Sequence, residues 1–187
     1  MEVNNRRNFL SKVMMTGIGG AALLSTSVYA KGPRNGSSTQ TLTEAQKDKL
    51  FFIYQEEKVA RDVYITLGNI YTDENTFASI QISEQRHMDA ARGLCEKYGV
   101  DISGVDESQV GEFVLPVLQE LYDTCVATGE ESRLDALKIG ELIELTDIDD
   151  LEEAAKGMPS DVVNVFDNLK EGSYNHLDAF RTAISRA

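Results

Sequence analysis

Residues 82–94 read ISEQRHMDAARGL. Taken as a helix, the apolar stripe through them runs Phe77, Ile80, Glu84, His87, Ala91, Leu94, Tyr98, in alternating steps of three and four. Side chains at that spacing share one helix face. The stripe therefore gives two successive inward positions to an acid and an imidazole, and the fold must supply a reason for burying them.

Working outward, four more segments carry a helical period. The first runs from about Thr43 to Asn69, opened by a Thr43/Gln46 capping box, with the stripe Leu50, Ile53, Glu57, Ala60, Tyr64, Leu67. The segment holding Glu84 and His87 runs from about Asn75 to Tyr98, where Gly99 stops it. A shorter one, about Glu112 to Thr128, carries Leu118, Leu121, Tyr122 and Cys125; Pro116 falls in its first turn or breaks it, and Gly129 ends it. The next follows Ser132, with Asp135 completing a second capping box, and has the stripe Leu134, Leu137, Glu141, Glu144, Ile148, Leu151, Ala155. Gly157 and Pro159 close it. The last runs from Ser160 towards Arg186 along Val162, Phe166, Leu169, Ser173, His176, Phe180, Ala183. No alternating strand pattern competes. The spacing predicts an all-α fold, an antiparallel four-helix bundle whose long crossover, Gly99 to Glu131, contains the extra short helix.

The polar interruptions fall near the middle of each long helix: Glu57, then Glu84 and His87, then Glu141 and Glu144, then Ser173 and His176. In an antiparallel bundle, midpoints meet at one level. Unpaired carboxylates there cost several kcal/mol each, about as much as in broken buried ion pairs. Two imidazoles cannot offset four acids, but metal cations can. Carboxylates and imidazoles on facing helices are the ligand set of di-iron and di-manganese bundle sites. The bland readings are a surface Glu-x-x-His pair or a hydrogen-bonded polar core. Glu141 also reads as solvent-facing, because Ile139 and Ile143 mark a rival stripe. Against these stands the placement of the histidines: the chain has two, and both fall on a seam.

The 187 residues suffice for one domain with a substantial core, and a net charge of −13 disfavours nucleic acid and anionic membrane as partners. Residues 1–30 read as a signal peptide: a basic start, a Gly-rich apolar run and Val28-Tyr29-Ala30, with cleavage after Ala30. Its apolar part is too short to span a membrane, so no stable anchor is expected after cleavage. Arg6 and Arg7, followed by Asn8-Phe9-Leu10, resemble the twin-arginine export signal, which implies a periplasmic or otherwise exported protein that travels folded. Residues 31–41 form a flexible leader, and residues 42–187 the domain. Cys95 and Cys125 are the only cysteines. With no Cys-x-x-Cys, a zinc knuckle or rubredoxin-type iron site is excluded. The two either pair in an oxidising compartment or remain buried thiols.

The motifs EKVARDVY (57–64) and SEQRHMDA (83–90) resemble the first two helices of rubrerythrins in the ferritin-like superfamily. GELIELTDIDDL (140–151) and NLKEGSYNHLDAF (168–180) look more specifically like the family catalogued as domain of unknown function 2202, over about residues 42–187. The resemblance implies a ferritin-like bundle with Glu57 and Glu84 as carboxylate ligands and His87 and His176 as imidazole ligands. Glu144 is its better third-helix ligand; Glu141 also matches, and Tyr64 matches the rubrerythrin tyrosine. Ser173 departs from the pattern, since a second Glu-x-x-His would place Glu there. Either Asp147, one turn beyond Glu144, or Glu141 makes up the missing carboxylate, or the site is reduced. Asp62 and Arg61 stand as partners orienting the ligands, with a surface ion pair the alternative for Arg61.

The implied cofactor is iron, two ions, or manganese. The implied partners are metal ions with oxygen or peroxide, and a homodimer is left open. The expected activity is oxidation of Fe(II) by oxygen or peroxide, with no built-in electron relay. The alternatives are a non-catalytic metal-binding module and a structural or partner-binding bundle with a degenerate site.

Overall fold

The computed structural model describes residues 41–187. The stretch read as a signal peptide, with Arg6 and Arg7, and all but the last residue of the stretch read as a leader lie outside the described residues. Five helices follow in order: α1 Glu44–Ile70, α2 Asn75–Tyr98, α3 Pro116–Gly129, α4 Arg133–Ala155 and α5 Ser160–Ile184. There is no strand among the described residues, so the fold is all-helical.

The helix ends follow local chemistry. Thr43 and Gln46 close the capping box of α1. Gly99 terminates α2 at φ 66°, in the left-handed region that favours glycine. Helix α3 begins at Pro116 rather than near Glu112, with the proline at the first helical positions, where its missing N–H costs nothing. Ser132 caps α4 by accepting from the Asp135 backbone N–H.

Helix α1 packs along α2, and α4 along α5; α1 also meets α4, and α2 meets α5. The direction of each pairing is fixed by cross-links. Gln46, near the start of α1, donates to the Gly157 carbonyl just past the end of α4, and Tyr64 further along reaches Glu144. Tyr98, ending α2, donates to Asp161 at the start of α5. Each contacting pair of long helices is therefore antiparallel, and α2 and α4 run the same way. The chain leaving α2 must travel the full length of the molecule to begin α4. Residues 100–132 make that crossover, with α3 packed on α1 and α4. The core includes an aromatic cluster of Tyr64, Phe77 and Phe180, with ring centroids 5.1–6.2 Å apart. Gly140 admits Phe180, whose ring a Cβ at that position would overlap.

Two sequence expectations need correction. Residues 52–64 of α1 are buried on all sides, because the crossover covers the polar face of that helix. Lys58 donates to Asp62 at 2.6 Å and to the carbonyls of Gln109 and Glu112 at 2.7 and 3.1 Å. Arg61 pairs with Asp62 and donates to Gln85 and to the Glu107 carbonyl. Asp62 also accepts from the Gly111 N–H at 3.0 Å. Arg61 and Asp62 thus form a buried clamp on the crossover, neither a surface ion pair nor partners of the inward acids. The second correction concerns α4, which packs against three helices and so buries a broad arc. Its inward positions are Leu137, Gly140, Ile143, Glu144, Asp147, Leu151 and Ala154, while Leu134 is exposed. Glu141 sits at the rim and pairs with Arg181 at 2.9 Å. Cys95 and Cys125 are both buried free thiols, pushed up to about 12 by burial.

Candidate metal centre

Four helices each bring a polar side chain to one level of the core. Glu57 comes from α1, Glu84 and His87 from α2, Glu144 from α4 and His176 from α5, and all five are buried, at 7% exposure or less. Glu84 lies between the imidazoles, its carboxylate 3.1 Å from His87 Nδ1 and 2.7 Å from His176 Nδ1. Glu57 stands 3.4 Å from His87 Nδ1, and Glu144 3.5 Å from His176 Nδ1. The two rings stack with centroids 5.2 Å apart. Glu84, His87 and His176 each offer a ligand atom within 4.8 Å of the others, a group that could hold a metal ion.

The neighbours position this set. Gly172 lets α5 approach α2 closely, since a Cβ there would overlap the His87 ring. The fully buried Tyr64 donates to Glu144 Oε1 at 2.6 Å. Ser173 stands one turn before His176, and its hydroxyl donates to Asp147 Oδ2 at 2.6 Å, leaving Asp147 Oδ1 without a partner. The acid from α4 thus sits against the serine of α5. Of the residues singled out by sequence, Glu57, Glu84, His87, Glu144, His176, Asp147, Ser173 and Tyr64 are brought together; Glu141, Asp62 and Arg61 are not.

Hydrogen bonding leaves the centre unsatisfied. Glu57 Oε1, Glu84 Oε1 and both Nδ1 atoms have no hydrogen-bond partner, although His176 Nδ1 and Glu84 Oε1 are within 2.7 Å. They approach without donor–acceptor alignment, as lone-pair donors around a common point do. Buried polar atoms in native proteins are almost always paired, so a cluster of orphans calls for an ion or water. The donor set, carboxylate and imidazole without thiolate, suits a divalent first-row metal such as iron, manganese or zinc.

Without a metal, the same groups compensate one another through protons. Burial, partly countered by His87, raises Glu57 to about 7. Burial and the charge of Glu84 raise Glu144 to about 8. Asp147 is raised well above the usual range by burial and by Glu57. Burial would lift Glu84 too, but the two imidazoles outweigh it and hold it at about 2. Burial would lower His87 and His176, yet the facing carboxylates hold them at about 11 and 10.

These shifts set a pH dependence for the metal-free protein. Glu57 and Glu144 keep protons in the folded state that an unfolded chain releases near 4.5, so their contribution falls as pH rises from there towards 8. The histidines stabilise fully below 6.5 and lose that contribution as pH rises through 10–11. Glu84 contributes above 4.5 and fails as pH falls through about 2. Stability without metal is therefore expected to peak near pH 4.5, to decline above it, and to decline more steeply above 6.5, where the histidine contribution is lost as well. Urea unfolding midpoints across this range check it; a midpoint that climbs towards alkaline pH contradicts the assigned protonation. Manganese should flatten the decline, because it occupies the deprotonated ligands.

Sequence reasoning missed Glu56 and Asp150, both drawn into the α1/α4 contact, and the burial of Gln55 and Lys58. The available signal was the run Gln55-Glu56-Glu57-Lys58 inside an otherwise apolar helix centre.

Comparison with known proteins places this geometry. The family described as "Uncharacterized protein domain (DUF2202)" matches residues 46–187. The uncharacterized protein MJ0754 of Methanocaldococcus jannaschii is 43% identical over 142 residues, covering 75% of this chain and 76% of that protein. The crystal structure of hypothetical protein MJ0754 from Methanococcus jannaschii is similar with a TM-score of 0.73 at 38% identity, covering 84% of this chain and 86% of that one.

Proposed function

This chain belongs to the DUF2202 family, and we propose that it is an exported metal-binding protein of ferritin-like architecture that oxidises Fe(II) with oxygen or peroxide. In this reading the four long helices form an antiparallel bundle around a two-metal centre of iron or manganese. The carrying observation is the orphaned set of inward donors: Glu57, Glu84, His87, His176 and Asp147 each present a buried atom with no hydrogen-bond partner.

The residues would divide the work as follows. Glu84, which touches both imidazoles, would hold both metal positions; His87 and Glu57 would serve one, His176 and Glu144 the other. Asp147, oriented by Ser173, would supply the carboxylate that the second Glu-x-x-His lacks. Iron bound there supplies a one-electron couple whose oxidised state carboxylates favour. Tyr64 fixes one Glu144 oxygen and leaves the other facing His176. Phe77 and Phe180 pack around Tyr64 and keep solvent from that side. The Arg6-Arg7 leader supports delivery by the twin-arginine route in an already folded state.

Metal analysis of the protein purified from its own export route tests the proposal. About two iron ions per chain, with oxygen-dependent consumption of added Fe(II), is the expected result. Zinc, or a single ion without turnover, would favour the binding-only reading, to which Ser173 in place of an acid lends weight. A metal-free, inactive protein would leave a polar-cored helical scaffold.

A further inference from the structure

Helix α1 buries its acids in two opposite ways. Asp62 lies between Lys58 and Arg61, 2.6 and 2.7 Å from their nitrogens. Glu56 is 3% exposed, and neither of its oxygens makes a hydrogen bond of good geometry, its carboxyl lying against that of Asp150. On α4, Asp147 Oδ1 and Asp150 Oδ2 are buried and without such a bond as well. Among the described residues, no Lys or Arg lies within ion-pair distance of these three acids.

Their placement is ordered. Glu144, Asp147 and Asp150 follow one another at steps of three along α4, each about 4.5 Å further along the axis and about 60° further round it, so that the row winds from the buried side of the helix towards its surface. Asp150 is partly exposed, while Asp147 and Glu144 are buried. Glu56 faces Asp150 and Asp147, and Asp147 faces Glu57 and Glu144. Asp149 and Glu153 add negative charge around Asp150 at the surface, Glu153 being partly offset by its pairing with Lys156. The acids thus make a continuous line from solvent to the candidate ligands. Held ionised there without counter-charge they would cost several kcal/mol, so without a cation burial and mutual repulsion keep Glu56 and Asp147 protonated. Their open lone pairs match what a hard divalent cation needs when it sheds water.

We propose that Asp150 and Glu56 form the passage by which divalent cations reach the centre. The proposal rests on the metal-binding reading above. Asp150 collects the ion at the rim, and Glu56 strips part of its hydration and hands it to Asp147, the outermost carboxylate of the centre, held there by Ser173. Two carboxylates in sequence bind weakly enough to release what they take, whereas the convergent set beyond them retains it.

The test is stopped-flow loading of the full chain with Co(II), followed by its visible absorption, comparing wild type with Glu56→Gln/Asp150→Asn. That pair removes charge but keeps shape, and neither residue belongs to the convergent set. The expected result is loading slowed about tenfold or more, within the range over which charged clefts alter on-rates, with the final cobalt per chain unchanged. An unchanged rate overturns the passage. A reduced endpoint also overturns it, by making these acids ligands instead. A wild-type chain that takes up no cobalt at equilibrium overturns the centre and the passage together, so the endpoint tests the centre and the rate tests the passage.

Discussion

Glu84→Ala combined with His87→Ala is expected to abolish metal uptake while leaving all five helices in place. Glu84 is the one carboxylate that touches both imidazoles, and His87 supplies one of the two rings, so the pair removes two of the three residues whose ligand atoms lie together. What remains, Glu57, Glu144, Asp147 and His176, has lost its central member. The helices should survive because alanine is the best helix former and because two buried ionisable groups are removed from a low-dielectric site. The vacated space is lined by polar groups and can take water. Metal content of the purified variant gives the first readout, and the thermal shift on adding Mn(II) the second. In wild type, ion at about a hundred times its Kd should stabilise the fold by about 2.7 kcal/mol, and in the variant by none. A variant that still takes up ions at the wild-type level, or that loses its helical circular dichroism, would count against the assignment.

Asp62→Ala is expected to cost about 3–5 kcal/mol, a large part of the total stability of a domain this size. The side chain is fully buried and accepts from Lys58, from Arg61 and from the Gly111 N–H. Its removal leaves two cations and one backbone donor in the interior with reduced compensation. The measurement is the urea midpoint of the metal-free protein, interpreted at constant slope. Asp62→Ala with Lys58→Met should recover part of the loss, because replacing a buried charged pair by apolar groups costs far less than breaking it. A single-variant loss under about 1 kcal/mol would mean that the crossover is not held by this clamp.

The helices are legible in the sequence because their stops and starts are local: Thr43 with Gln46, Gly99, Ser132 with Asp135, and Gly157 followed by Pro159. The inward acids and imidazoles are legible because a polar residue on an apolar stripe is conspicuous. What could not be read depends on non-local contact. Nothing in α1 alone reveals that Lys58, Arg61 and Asp62 are buried, since the strand of crossover that covers them lies some fifty residues later, at Glu107 to Glu112. The choice between Glu141 and Glu144 likewise turned on how far α4 rotates towards α1 and α5, which a three-four spacing leaves open by one position. Glu56 escaped notice because it abuts Glu57, and a helix contacted on every side has no outward face to receive it.

The clamp also bears on how freely the crossover can change. Lys58 and Arg61 grip it through the carbonyls of Glu107, Gln109 and Glu112, which every amino acid possesses. Recognition at those points is blind to side-chain identity. Within residues 107–112, the positions that do carry individual information are Glu107, whose carboxylate accepts from Tyr54 and Arg92, and Gly111, whose φ of 84° and closeness to Tyr122 exclude a side chain. Relatives and redesigns alike should be able to rewrite the rest of that segment, provided these two pegs stay in register.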